Sequence, residues 1–227
     1  ATAALPAPGP GAAAPGSIVL VDRPGAAQTV IQIGRAVPPA EGEELAARTC
    51  INTFFGDSFT SRLNQNLREK HGFTYGARSA FAQDGSVVTL TARSSVQTAV
   101  TGAALTEFKR EFDALAGGDV GEEELGKAAR TARRVIIENA ESTQSLAEAM
   151  LDNARRGRAV DTLPADIAAV DATTLERTRA LARSGLYDWR GLLVVQVGDR
   201  AQVAPQLKEA GFPEPLLADE EGRLLPR

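Results

Sequence analysis

Arg68 and Tyr75 are the residues whose types and spacing invite a chemical reading first. They close the run Arg68-Glu69-Lys70-His71-Gly72-Phe73-Thr74-Tyr75. A guanidinium is a permanent cation with a planar fork of N–H donors, and a phenol adds one more, so the pair is equipped to donate hydrogen bonds. Read by themselves, the two have ordinary uses: a helix-terminal Arg stays in water or caps carbonyls, and a strand Tyr is half buried. Other chemistries lack their parts. A catalytic zinc needs three protein ligands and an open position. The chain has one histidine, His71, one cysteine, Cys50, and no His-x-x-Glu-His or its inverse. The acids Glu122, Glu123 and Glu124, and likewise Glu41, Glu43 and Glu44, suit helix starts, where they oppose the helix dipole. A serine nucleophile has no Gly-x-Ser-x-Gly setting and only His71 as a base, and Gly-rich phosphate loops are absent. His71 reads as an exposed turn residue near the last helical carbonyls, and Cys50 as a buried, inert thiol on an apolar helix face. Arg130, Arg133, Arg134, Arg155, Arg156 and Arg158 read as solvated faces, or else as a docking surface for an acidic partner.

The elements that place Arg68 and Tyr75 can be traced outward. Ala47, Cys50, Ile51, Phe54 and Phe55 repeat at helical spacing and make a buried stripe. Gly56 is expected at positive φ behind that helix. Ser58 or Thr60 is expected to cap a short second helix through its hydroxyl. Leu63 and Leu67, four apart, share its dry face, while Arg62, Asn66, Glu69 and Lys70 fall on the wet side. Gly72 ends it as a left-handed residue, and Thr74, Tyr75, Gly76 and Ala77 open a strand. Arg68 therefore ends a helix and Tyr75 begins a strand, with one turn between them. Strands are expected at 18–21, 29–35, 75–83, 86–94 and 192–197, with a hairpin across Asp84-Gly85. Val100, Ala104, Phe108, Phe112 and Leu115 line a helix that Gly117-Gly118 ends. Helices are further expected at 122–141, 143–156, 163–170, 173–183 and 203–210. Capping boxes are read at Asp119 with Glu122 and at Thr173 with Glu176, and the proline-rich end is read as trailing along the surface. This order implies an α+β fold: a sandwich with a mainly antiparallel sheet covered on one face by helices.

Ser61-Arg62-Leu63 followed by Leu67-Arg68-Glu69-Lys70-His71-Gly72-Phe73-Thr74-Tyr75-Gly76 resembles the signature of the C-terminal, non-zinc-binding domain of the pitrilysin/insulinase-like zinc metallopeptidases, the family of the mitochondrial processing peptidase. The resemblance runs from about residue 16 onward and includes the strands at 18–24 and 28–34 and the late strand 192–198 ending in Val197-Gly198-Asp199. It implies a substrate-binding pair, Arg68 and Tyr75, that holds a peptide over a zinc site in another domain. It also implies a half with no catalytic residue or metal ligand of its own, inactive alone. Zinc, its ligands and the general-base Glu would come from a partner domain or subunit carrying His-x-x-Glu-His, in cis or in trans, to hydrolyse peptide bonds within an enclosed dimeric chamber. Core subunits of the cytochrome bc complex share the resemblance, which leaves an inactive scaffold as the alternative. Phe55-Gly56-Asp57 departs from the paired glycines of relatives.

Composition fits this reading. A hydrophobic fraction of 43%, a charged fraction of 24% and a net charge of −4 describe an ordinary globular chain and give no electrostatic case for nucleic acid. No apolar run approaches the length of a transmembrane segment. One cysteine excludes an internal disulfide, so cysteine usage does not assign a compartment; a soluble bacterial chain of cytoplasm or periplasm is the expectation. Residues 1–16, rich in Ala, Pro and Gly, read as a linker or tail, and residues 17–227 as the domain. The only methionine, Met150, suggests a fragment or processed form.

Overall fold

The computed structural model describes residues 13–84 and 87–226. Most of the 1–16 segment and the two residues at the tip of the 84–86 turn lie outside the described residues. Six strands form one sheet: β1 (Ile18–Asp22), β2 (Gln28–Val37), β3 (Thr74–Asp84), β4 (Val87–Gln97), β5 (Leu193–Gly198) and β6 (Leu216–Ala218). Their order is β3-β4-β2-β5-β1-β6. The β3–β4, β4–β2 and β2–β5 pairs are antiparallel, and β1 runs parallel to both β5 and β6. β6 corrects the reading of the proline-rich end as a trailing segment. Leu216, Leu217 and Ala218 are a short apolar run, and pairing them with Val19, Leu20 and Val21 satisfies the free edge of β1.

Helices cover one face: α1 (Gly42–Asn52), α2 (Thr101–Ala116), α3 (Glu122–Glu138), α4 (Thr143–Arg155), α5 (Leu163–Asp171), α6 (Leu175–Leu181) and α7 (Arg200–Glu209). The alternation of strand side chains decides which residues meet them. The cross-strand row Ala77, Ser94, Ile31 and Gln196 is buried in full beneath the helices. The next row, Arg78, Arg93, Gln32 and Val195, lies on the opposite face. Over β2, β3 and β4 that face is open; Val30 on it is 46% exposed. The core between the layers centres on an aromatic cluster, Phe55 edge-on to Phe112 at 4.9 Å and to Tyr187 at 6.1 Å, a geometry favoured by the ring quadrupoles. Leu63 and Leu67 are fully buried, as their spacing requires.

Several local expectations are corrected. Gly56 does not have positive φ. It sits in a π-helical turn, Thr53–Asp57, that continues α1, and a Cβ there would lie 2.5 Å from the backbone nitrogen of Ser79. Its role is close approach to β3, whereas Gly72, at φ +65, is the left-handed stop expected. No hydroxyl of Ser58 or Thr60 caps the second helix; the carbonyl of Ser61 receives the amide of Gln65 at 2.8 Å instead. Arg62 and Asn66 are not on a wet face: Asn66 is 6% exposed and the Arg62 side chain 17%. Asp119 does not cap α3, which starts after Gly121 with no side-chain cap. The cap of α6 falls one residue later than read, with Thr174 Oγ1 accepting from the amide of Arg177 at 3.2 Å. A capping box does form at Ser142 and Ser145, opening α4.

Candidate functional site

The signature helix, Asn64–Lys70, carries Arg68 and is π-wound. Two of its polar side chains and one from the turn before anchor it. Asn64, 7% exposed, donates to the carbonyl of Ser58 at 3.2 Å and to Ser61 Oγ at 3.3 Å, and its Oδ1 accepts from the amide of Ala77 in β3 at 2.8 Å. Asn66 Nδ2 donates to Glu107 Oε2 and Glu111 Oε1 of α2 at 2.8 and 2.6 Å. Arg62, in the turn before, donates to both carboxylate oxygens of Glu124 at 2.7 and 2.5 Å and to the carbonyl of Asp119, with its guanidinium over the Phe54 ring. Burial disfavours the charged Arg62, but the bonds to Glu124 outweigh this and raise its pKa. The helix is thus tied to β3, α2 and α3, and Arg68 projects from a fixed base.

Arg68 is itself lightly held. Its side chain is 34% exposed, its Nε lies 3.4 Å from Glu69, and its guanidinium stacks 4.4 Å over the ring of Phe59. Phe59 is 68% exposed, an aromatic platform that sequence reasoning passed over. The only signal for it was a large apolar residue inside the polar run Asp57-Ser58-Phe59-Thr60.

Tyr75 stands on a β-bulge. Thr74 pairs with Val96 and Ala77 with Ser94, so Tyr75 and Gly76 together oppose Ser95, two residues against one. The distortion is held on all sides. Thr74 Oγ1 lies 2.8 Å from the carbonyl of Ser95 and accepts from the amide of Gly76 at 3.1 Å; Ser94 Oγ donates to the carbonyl of Gly76 at 2.9 Å. Because the row containing Ser95 and Val30 is on the open face, the bulge turns Tyr75 that way. Tyr75 is 92% exposed, and its phenol has no hydrogen-bond partner among the described residues. The structure brings Arg68 and Tyr75 to the two ends of the single turn at Gly72 and Phe73, and no hydrogen bond or ring contact joins them among the described residues. A groove of about 470 Å³ beside the signature helix is lined by Arg62, Gln65, Glu123 and Lys127 among others, and by neither Arg68 nor Tyr75.

The remaining candidates settle as follows. His71 is partly buried, stacked on Phe73 with centroids 4.9 Å apart, and its Nε2 is 3.8 Å from Glu107. Cys50 is fully buried, and desolvation raises its thiol pKa from 9.0 to about 11 despite a hydrogen bond with Thr173. Glu122, Glu123 and Glu124 do occupy the first turn of α3. Among the described residues no three His, Cys, Asp or Glu side chains cluster as metal ligands. No helix of the described residues is long and apolar enough to cross a membrane.

Solved structures of known proteins share the fold of this chain. The chain superposes on a peptidase M16 inactive domain from Pseudomonas fluorescens with a TM-score of 0.72 at 19% identity, covering 81% of this chain and 43% of that one. It superposes on a protease from Helicobacter pylori with a TM-score of 0.68 at 16% identity, covering 80% and 43%. A chain of complex III2 from Candida albicans matches with a TM-score of 0.65 at 11% identity, covering 87% and 49%. The chain therefore spans less than half of these solved chains. No curated protein matches it. The family model described as "Peptidase M16 inactive domain" matches residues 3–132, more than half of the 227 residues and the whole of the Arg68 and Tyr75 site, and on that match the chain belongs to the peptidase M16 inactive-domain family.

Proposed function

We propose that this chain is the substrate-holding half of a zinc-dependent peptidase, in which Arg68 and Tyr75 bind the backbone of an extended peptide. The observation that carries the reading is Tyr75: a phenol 92% exposed, without a partner among the described residues, presented by a bulge that Thr74, Ser94 and Asn64 hold in place. A side chain serving the fold would be packed or bonded, whereas one serving a ligand is fixed at its base and free at its tip. Arg68 adds a fork of charged donors across the turn. Together they suit carbonyl oxygens of a bound peptide or the oxyanion that develops as a peptide bond is attacked. The zinc, its ligands and the general base would belong to a partner domain or subunit carrying His-x-x-Glu-His, which places the assembled activity outside this chain.

The test is capture of the partner from native lysate, followed by assay of the complex for zinc and peptide hydrolysis. In the active complex, Arg68→Ala and Tyr75→Phe each lower kcat/KM by about 10- to 150-fold, the value of a charge-assisted hydrogen bond, with Tm unchanged. Unchanged kcat/KM in both variants defeats the assignment. The fold likeness to a complex III chain supports a second reading, a scaffold subunit. A stable complex of respiratory membrane proteins without zinc or hydrolysis would establish it.

A further inference from the structure

The open face of the sheet carries a charge arrangement that the fold does not use. Arg78 of β3 and Arg93 of β4 are direct cross-strand partners. Like charges placed opposite one another across an antiparallel pair repel. Neither guanidinium has a hydrogen bond or ion pair among the described residues. Three arginines of the helical layer behave differently, Arg48 bonding Glu44, Arg62 bonding Glu124 and Arg158 bonding Asp166, while Arg130 and Arg155 share the unpaired state among the described residues. The third arginine of these strands, Arg35, donates to the carbonyl of Gly185. In a chain of net charge −4, strands β2 to β5 contain a single acid, Asp84, at the far end of β3. The acids of the molecule are gathered elsewhere, and this face presents two unneutralised cations.

Their position relative to Tyr75 gives the cations a use. The bulge absorbs one residue between Tyr75 and Arg78, which leaves about two strand steps, roughly 7 Å. That is the spacing of alternate side chains on an extended peptide. β3 is also the edge strand of the sheet, its outer side covered at Ala77 by Asn64 and at Ser79 by Gly56, so the side chains of its open face are what it presents. We propose that this face selects peptide segments bearing Asp or Glu, with Arg78 and Arg93 together receiving a carboxylate about two residues from the backbone held at Tyr75. The proposal rests on the peptide-holding reading above and adds the class of peptide.

The probe is a pair of labelled extended peptides that differ only in Glu against Gln at alternate positions. Binding to the full chain is followed by fluorescence anisotropy, and hydrolysis by the reconstituted complex is followed in parallel. The Glu peptide is expected to bind at least about tenfold tighter, as charge-assisted bonds do, and Arg78→Gln/Arg93→Gln to erase the difference without lowering Tm. Arg130→Gln/Arg155→Gln, which removes the same formal charge from the helical layer, leaves the preference in place. Equal binding of the two peptides, absence of binding by both, or a preference that survives Arg78→Gln/Arg93→Gln overturns the proposal. The two readings fail separately. Loss of hydrolysis in Arg68→Ala with no acid preference in the parent chain sinks this inference alone. An acid preference abolished by Arg78→Gln/Arg93→Gln, with hydrolysis indifferent to Arg68 and Tyr75, sinks the clamp assignment and leaves acid recognition standing.

Discussion

Asn64→Ala is the perturbation that most directly tests how the site is built. Asn64 is 7% exposed and joins three separate pieces of chain: the 58–61 loop, the signature helix and the start of β3. Its two donated bonds, to the Ser58 carbonyl and Ser61 Oγ, are long at 3.2 and 3.3 Å, so about 0.5 kcal/mol each is a fair value. The accepted bond matters more. Ala77 is 1% exposed, and its amide donates to Asn64 Oδ1 at 2.8 Å. Truncation leaves that buried N–H without a partner, which costs about 1–3 kcal/mol. The sum is about 2–4 kcal/mol, large against the margin of a typical domain. Urea titration of parent and variant should show a lower midpoint at an unchanged m value. Hydrogen exchange at the Ala77 amide should accelerate far more than exchange in the middle of β4, because the break is local to the bulge. A variant within about 0.5 kcal/mol of the parent, with Ala77 still protected, would show that Asn64 does not pin the helix to the strand and would refute the claim that Arg68 projects from a fixed base.

Gly56→Ala should destabilise by about 1–3 kcal/mol, because its Cβ would meet the backbone nitrogen and Oγ of Ser79 at 2.5 Å; thermal denaturation should show a fall of about 2–4 °C for each kcal/mol in a chain of this size. Gly72→Ala has open space around it and should lose only the strain of its positive φ, about 1–2 kcal/mol. Cys50 should resist thiol-specific reagents at pH 8 in the folded chain and react once urea unfolds it, since burial raises its pKa to about 11. The sign for stability follows from linkage: between pH 9.0 and about 11 the unfolded thiol loses its proton while the folded one keeps it, so stability falls as pH rises through that window. Cys50→Ala should flatten that fall, read by urea midpoints across the alkaline range.

The parts legible in the sequence were those governed by periodicity and by single-residue stops. Leu63 and Leu67 had to share a buried face, and Gly72 had to end a helix. The misread parts depended on what lay opposite. Gly56 looked like a C-terminal cap because a glycine after an apolar helix usually is one; only the neighbouring strand reveals that the missing Cβ makes room for Ser79. Arg62 and Asn66 looked solvent-facing because they are polar, yet Glu124 and the α2 acids Glu107 and Glu111 lie far along the chain. β6 was missed because three residues after Pro215 carry little pattern of their own and are defined by the edge they complete. The bulge at Tyr75 is likewise a property of pairing: Thr74 through Ala77 read as a plain strand start, and only the register with Val96 and Ser94 shows that two residues share one partner.

That bulge also ties together the two halves of the functional argument. In an unbulged strand the alternation of side chains would place Tyr75 and Arg78 on opposite faces. One extra residue puts them on the same face, beside Arg93 and away from every helix that packs the core. The same residue that frees Tyr75 from the fold therefore brings it into register with two cations that the fold also leaves free. Placed directly across from each other they repel in the isolated chain, and an anion bound from outside would offset that repulsion. A peptide carboxylate does this while leaving its own backbone about two strand steps away, where the phenol is waiting for an acceptor.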